Sequence, residues 1–267
     1  MLSKREIIYC YDGTFEGFLC CVFESFMHKE IPSGIVSQKD VQPSLLEQYN
    51  IETNDKNALK VKKSIPAEMG QEALPFLKDA LLSCLPDKEL FMLDFMRLGY
   101  KAGPKVMNML ANETVNTLAK AVRQLRFEAH KYTGFVRFSD HAGLLFSSIK
   151  PKNSVLHILA PHFADRYFNE KFVIYDETHK LICAGAGGRY IISAASDITM
   201  PETDATEQTY RDLWKIFYDT IAVEGRENPK CMMNFLPKRY RSHMTEFQTN
   251  SQKNKTLPKN KEIKLLA

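Results

Sequence analysis

The feature that most constrains this chain is a change of hydrophobic period at Tyr132. Upstream, Val115, Leu118, Ala119, Val122, Leu125 and Ala129 recur at helical spacing, which predicts an amphipathic helix over residues 113–131. From Tyr132-Thr-Gly-Phe-Val-Arg-Phe138 the alternation is that of a strand, and Asp140-His-Ala-Gly143 can turn the chain into a second strand over 144–149. A chain that gathers helices first and strands afterwards reads as α+β, with an antiparallel sheet carrying packed helices.

The remaining elements follow from the same signals. Residues 6–11 read as a strand, and Asp12-Gly13-Thr14 is a turn able to cap a helix over 15–28. Between Ile31 and Ile65 the pattern weakens, with Pro32, Gly34, Pro43 and a polar stretch at 52–57, so loop with one or two short strands is expected. Helices are predicted over 67–84 and 88–101. Past the hairpin, Ser154 can cap a helix running to Phe168, strands are expected at 171–176, 180–184 and 189–195, and a helix over 204–223 leads to a basic segment. The organisation is then a mainly helical region with an opening strand–helix unit (1–131), an antiparallel α+β region with a basic end (132–248), and a Lys-rich, flexible tail (249–267).

Length and cysteine usage narrow the class further. A chain of 267 residues can bury a core large enough to need no cross-links. Cysteines 10, 20, 21, 84, 183 and 231 form no C-x-x-C pair, and three sit in apolar runs, which points to a reducing compartment. No apolar run approaches the roughly 18 residues of a membrane span, so a cytoplasmic protein without a membrane partner is expected. The net charge of +4 is unevenly placed: from Arg226 onward ten Lys or Arg face three Glu, a local +7 against −3 for the first 225 residues.

Four groups of residues can carry chemistry. In Tyr11-Asp-Gly-Thr-Phe-Glu16 a strand end hands over to a helix N-terminus; Asp12 or Glu16 is a candidate base there, and Asp12 as turn former is the plainer reading. Gly134-Phe-Val-Arg-Phe138, beside a helix with His130, alternates aromatics with Arg137, as strands that stack bases do; ordinary β alternation is the alternative. His162 and Arg166, four apart, suit an acid–base role or a phosphate clamp, although a His so placed is more often structural. No third ligand at a recognised spacing joins His157 and His162, so no metal site is expected. Arg226, Lys230, Lys238, Arg239 and Tyr240 combine cations with a ring, which suits nucleic acid; a solvated basic loop is the competing reading.

Taken in order, Tyr11-Asp-Gly-Thr-Phe-Glu-Gly17, His130 with Gly134-Phe-Val-Arg-Phe138, Leu159-Ala-Pro-His-Phe163, Ile174-Tyr-Asp176 and Asn228-Pro-Lys230 with Leu236-Pro-Lys-Arg-Tyr240 resemble the bacterial "probable DNA metabolism protein" family. The resemblance implies a role in DNA metabolism or repair and a radical-SAM partner often encoded alongside. Related domains are fused to uracil-DNA-glycosylase-like domains. It implies no assigned reaction. The chain departs from the pattern after Tyr240, where Arg241 and Met244-Thr-Glu246 replace an expected aromatic and a Leu-Pro-Glu-like ending.

The leading expectation is therefore a DNA-binding accessory factor. It holds damaged or modified DNA, single-stranded DNA included, for a radical-SAM partner that performs the chemistry. The chain itself has no iron–sulfur cysteine triad and no cofactor is expected. Two alternatives stay open. One is an enzyme acting on a nucleotide or DNA, with Asp12 or Glu16 as base, His162 as acid–base partner and Arg137, Arg166 and Arg189 on phosphate. The other is a pure protein adaptor.

Overall fold

The structure is a computed structural model, and it describes residues 3–195, 205–221 and 228–247. The protein is α+β. Its first sheet has three parallel strands in the order β2-β1-β3: β1 (Ser3–Tyr11) lies between β2 (Glu30–Ser37) and β3 (Glu47–Asn50). Tyr9, Cys10 and Tyr11 of β1 are all buried, as expected of a central parallel strand covered on both faces. Helix α1 (Phe15–Met27) starts where Thr14 accepts a hydrogen bond from the Gly17 amide, and buries Phe18, Leu19, Cys21 and Val22.

The stretch expected to be mostly loop is more ordered than its composition suggests. β2 and β3 exist because each pairs with β1, a long-range contact that local propensity does not report. Residues 55–65 are a correction, since α2 (Asp55–Met69) runs through them. Asn54 caps it, accepting from the Lys56 and Asn57 amides, and Ala58, Val61, Ile65 and Met69 form its buried stripe. The single helix expected over 67–84 is broken at Gly70, whose φ of +88° ends α2 before α3 (Ala73–Leu82) begins.

Helix α4 (Lys88–Ala102) follows, then a 3-10 turn (Gly103–Asn108), then the 23-residue α5 (Glu113–Phe135). α5 is the spine of the molecule. Val115, Leu118 and Val122 pack in a first core with α1 to α4, and Leu125, Ala129 and Tyr132 in a second. The strand expected from 132 is a second correction. α5 continues to Phe135 because Tyr132 and Phe135 both pack on Tyr240, the Thr133 hydroxyl donates to the His130 carbonyl, and the Val136 amide closes the end on Tyr132. The helix thus crosses the 131/132 boundary expected from the change of period. None of residues 132–138 is strand, and the short β4 (Ser139–His141) begins only after them.

The second sheet has the order β4-β5-β6-β7-β8, with β5 (Leu144–Ile149), β6 (Lys171–Asp176), β7 (Leu181–Ala186) and β8 (Arg189–Ala194). It is mixed, which corrects the antiparallel expectation. β5 and β6 run parallel because helix α6 (Leu156–Arg166) carries the chain back between them, and only a crossover can join parallel neighbours. The other pairs are antiparallel hairpins. At the β4–β5 turn Gly143 has φ +84° and its amide donates to Asp140. Ser154 was expected to cap α6, but α6 has no side-chain cap and the Ser154 amide donates to the Leu82 carbonyl. Beyond the sheet lie α7 (Ala205–Thr220), α8 (Pro229–Phe235), α9 (Lys238–Arg241) and a 3-10 turn (Thr245–Phe247). Among the described residues no helix is long and apolar enough to cross a membrane.

Arg97 on α4 joins the first sheet to its helices. Its Nη2 donates to the Ser25 carbonyl, the Ser25 hydroxyl and the Glu30 carbonyl, with the guanidinium 4.7 Å from the Phe26 ring centre. Arg97→Ala is expected to lower unfolding free energy by about 2–4 kcal/mol, because it strands buried acceptors and removes packing. Urea denaturation followed by far-UV circular dichroism measures this, and a loss below about 0.5 kcal/mol would show that the clamp is dispensable.

Candidate functional site

The N-terminal candidates form a turn. Asp12 Oδ1 accepts from the Thr14 amide (2.9 Å) and hydroxyl (2.7 Å), and Oδ2 from the Thr53 hydroxyl (2.8 Å). Burial pushes the Asp12 carboxyl up, but these bonds outweigh it and leave the group below its usual range. Glu16 is paired with Lys62 at 3.0 Å, which lowers its carboxyl too. A cavity of about 400 Å³ beside Asp12 is lined by the first sheet and the segment around Asp87, Lys88 and Glu89. His162 is on the exposed side of α6, and α6 packs on α5, β7 and β8. The structure therefore does not bring Asp12 and Glu16 together with His162.

The basic segment divides into anchoring and free cations. Tyr240 is 3% exposed, its ring 5.1 Å from Tyr132 and 5.3 Å from Phe135, so it packs in the second core and offers no free stacking face. Arg239 lies over that ring at 4.6 Å and pairs with the buried Glu128 at 3.1 Å. Glu128 also accepts from the Lys152 amide, the Asn153 amide and the Asn153 side chain. Arg241 closes on the Leu236 carbonyl and the Phe247 ring. Lys230 and Lys238 are exposed on α8 and α9, and Arg226 lies outside the described residues.

Around this anchor the surface is cationic and aromatic. Lys131 stands 5.7 Å from the Tyr240 ring centre, so two cations share one ring, and 4.7 Å from that of Phe127. Burial and the Arg239 charge hold Lys131 below the usual lysine range. Phe127 is 58% exposed, and Arg123, Phe127 and Lys131 lie four apart along one exposed to half-buried stripe of α5, with exposed His130 beside them. The helical spacing of Arg123, Phe127 and Lys131 was visible in the sequence and is the signal that would have found this surface.

Arg137 belongs to a different constellation. It lies in the coil between α5 and β4, where Nη1 donates to the Gly134 carbonyl (2.9 Å) and Nη2 to Glu246 (2.8 Å). Its Nε–H is buried without an acceptor among the described residues. The guanidinium stands 5.9 Å from the Trp214 ring centre, and the Trp214 indole N–H also donates to Glu246 (3.2 Å). Arg211 pairs with Glu207 at 2.8 Å and hydrogen-bonds Ser139. Arg137, Phe138, Glu207, Tyr210, Arg211, Trp214 and Thr245 line an open cavity of about 480 Å³. Arg137 and Phe138 of this set stood out in the sequence. The rest come from α7 and the last 3-10 turn, brought there by tertiary contact.

The other predicted cations stand apart from that cavity. Arg166 is exposed at the end of α6, with its guanidinium 5.9 Å from the Tyr167 ring centre. Arg189 is exposed at the start of β8, on a mainly apolar cavity with Tyr190 and Ile191. Where the parallel pair β5–β6 ends, Asp176 accepts from the Thr178 and His179 amides and meets His179 Nδ1 at 2.7 Å. Glu177 takes the Ser148 hydroxyl and lies 3.8 Å from His243, tying the hairpin to the C-terminal segment. Among the described residues no group of His, Cys, Asp or Glu is arranged to hold a metal, and the six cysteines are free thiols.

Fold and surface thus define an α+β protein with a cation–aromatic face on its central helix and a separate aromatic cavity lined by two arginines. A family model described as a domain of unknown function, DUF4130, matches residues 86–246, more than half of the chain, and the chain belongs to that family. The match takes in α4, α5, the second sheet and both constellations, and leaves out Asp12 and Glu16. No curated protein matches the chain.

Two consequences are measurable. Glu128→Gln puts an amide N–H₂ among donors, so a loss of about 2–4 kcal/mol is expected in chemical denaturation. Arg239→Ala, whose side chain is 43% exposed, should cost less than half as much. Equal losses would refute the central role of Glu128. Burial raises the Glu246 carboxyl, but bonds from Arg137 and Trp214 win and leave it below its usual range. A depressed carboxyl stabilises above the unfolded value, about 4.3 for Glu, and loses that stabilisation as pH falls through the folded value. Trp214 is the chain's one tryptophan, so its emission should change in that acid window and, in Glu246→Gln, should already be shifted at neutral pH. An acid transition unaltered by the substitution would show that Glu246 does not control the indole.

Proposed function

We propose that this protein binds DNA through the cation–aromatic face of α5 and α9, as an accessory factor for a radical-SAM enzyme of DNA repair or modification. The observation that carries the reading is the crowding of Lys131 and Arg239 on one tyrosine ring beside the exposed Phe127. Two like charges held together repel each other, and an anion between them relieves that repulsion while releasing the counterions condensed on the nucleic acid. Phe127 adds a ring for a base to stack on, and exposed Lys238 and Lys152 extend the cationic surface, with the exposed His130 imidazole beside it. The partner rests on the family resemblance, which associates such chains with radical-SAM proteins. The partner enzyme supplies the chemistry, and this chain supplies the grip.

Fluorescence anisotropy with labelled single-stranded and duplex DNA tests the reading. Three phosphate contacts predict a log–log salt slope of about −2 on a single strand, so affinity should fall roughly 15- to 20-fold between 50 and 200 mM salt. Lys131→Glu or Lys238→Glu should weaken binding and flatten the slope by about one contact without altering the denaturation midpoint. Arg239→Glu is a poor probe because it opposes Glu128. No association with any DNA at low ionic strength would sink the proposal. Retention of the radical-SAM protein with no nucleic acid would favour the adaptor alternative.

A further inference from the structure

The cavity walled by Trp214 and Tyr210 is separate from the cationic face, and its chemistry is more selective than a phosphate track requires. We infer that it receives a single unpaired nucleobase, stacked on the aromatic wall and hydrogen-bonded by Arg137 and Arg211. This deepens the DNA-binding reading by naming what part of the strand is gripped, and it rests on that reading only for the source of the base.

Three observations carry the inference. The first is size: about 480 Å³ falls within the roughly 300–1,000 Å³ of small-molecule sites, and is large enough for one nucleotide. The second is the walls. Trp214 is held by its indole N–H on Glu246 and by the Arg137 guanidinium 5.9 Å away, so one large ring is oriented before any ligand arrives. Tyr210, 66% exposed, stands on the same helix one turn earlier. Fixed aromatic planes stack flat rings with little loss of side-chain entropy, and base stacking is tolerant of base identity.

The third is the sense of the hydrogen bonding. Both acidic side chains beside the cavity are engaged by guanidinium groups, Glu246 by Arg137 and Glu207 by Arg211. What remains is donor-rich: of the five N–H donors of a guanidinium, Arg137 spends three on Glu246 and the Gly134 and Val136 carbonyls, and Arg211 spends two on Glu207 and Ser139. An apolar, donor-rich slot suits a flat ring that carries acceptors, as nucleobase carbonyl oxygens and ring nitrogens do. An aliphatic side chain would leave those donors unmet, and a bare phosphate would leave the rings unused. A paired base cannot enter, because its faces and one edge are occupied in the duplex, so the preferred strand is single or locally opened.

Trp214 makes the test direct, since its emission reports this cavity alone. The full chain is titrated separately with a nucleoside monophosphate, ribose 5-phosphate, a single-stranded oligonucleotide and the matching duplex, while anisotropy of labelled strands reports DNA binding. Quenching by the monophosphate and the single strand, with none from ribose 5-phosphate, is expected. Saturation at lower concentration by the oligonucleotide assigns a base within a strand, and equal saturation assigns a free nucleotide; both support the base site. Tyr210→Ser, at an exposed position, should weaken the quenching at least fivefold with an unchanged denaturation midpoint, and Arg137→Lys should weaken it while keeping the charge. Strand binding by anisotropy without any change in emission would overturn the base site and leave the DNA-binding reading standing. Quenching by the monophosphate without strand binding would do the reverse, and silence in both would remove both.

Discussion

A buried carboxylate holds the molecule together. Glu128, on the second half of α5, accepts hydrogen bonds from the Lys152 amide, the Asn153 amide and side chain, and the Arg239 guanidinium. Asn153 in turn accepts from the Cys84 amide, and the Ser154 amide donates to the Leu82 carbonyl. Through this chain of contacts the end of α3, the loop between β5 and α6, and the C-terminal segment are all referred to one side chain. An unpaired carboxylate at that depth would cost several kcal/mol, so each partner must be in place for the others to be stable.

That constraint also sorts the basic residues by role. Cations that look alike along the sequence have unlike tasks: Arg239 neutralises a buried charge, Arg241 closes its own turn, and Lys238 faces water. Docking Tyr240 into the second core sets α9 against α5, which is why Lys131 and Arg239 come to share a ring. The same packing places Glu246 where it can hold both Arg137 and Trp214. A structural anchor and two candidate recognition surfaces therefore depend on one short C-terminal stretch.

Much of the architecture was legible from local signals. The helix at 113–131, the turn at Asp140-His-Ala-Gly143 and the strand–turn–helix at Asp12 all correspond to described elements. The one or two short strands expected between Ile31 and Ile65 are β2 and β3, whose places are set by pairing with β1, while α5 outlasts its expected end because Tyr132 and Phe135 meet Tyr240 more than a hundred residues away. α2 carried a readable stripe at Ala58, Val61, Ile65 and Met69, obscured by a polar surround and by Pro66. The mixed second sheet was misread because strand order is set by where α6 packs, which periodicity does not encode.

By itself the sequence determined the class: an amphipathic helix followed by alternating strands makes an α+β protein, since each pattern buries one face and little else satisfies both. It also marked Arg137 and the 226–241 stretch as unusual in charge and aromatic content. Only the tertiary structure decided what those residues touch. Tyr240 went into the core and Arg239 to Glu128, while Trp214, Tyr210 and Arg211 arrived around Arg137 from a distant helix. The physical reason is that burial and ion pairing act between surfaces brought together by folding, and a linear pattern records which side chains are available for contact but not which ones meet.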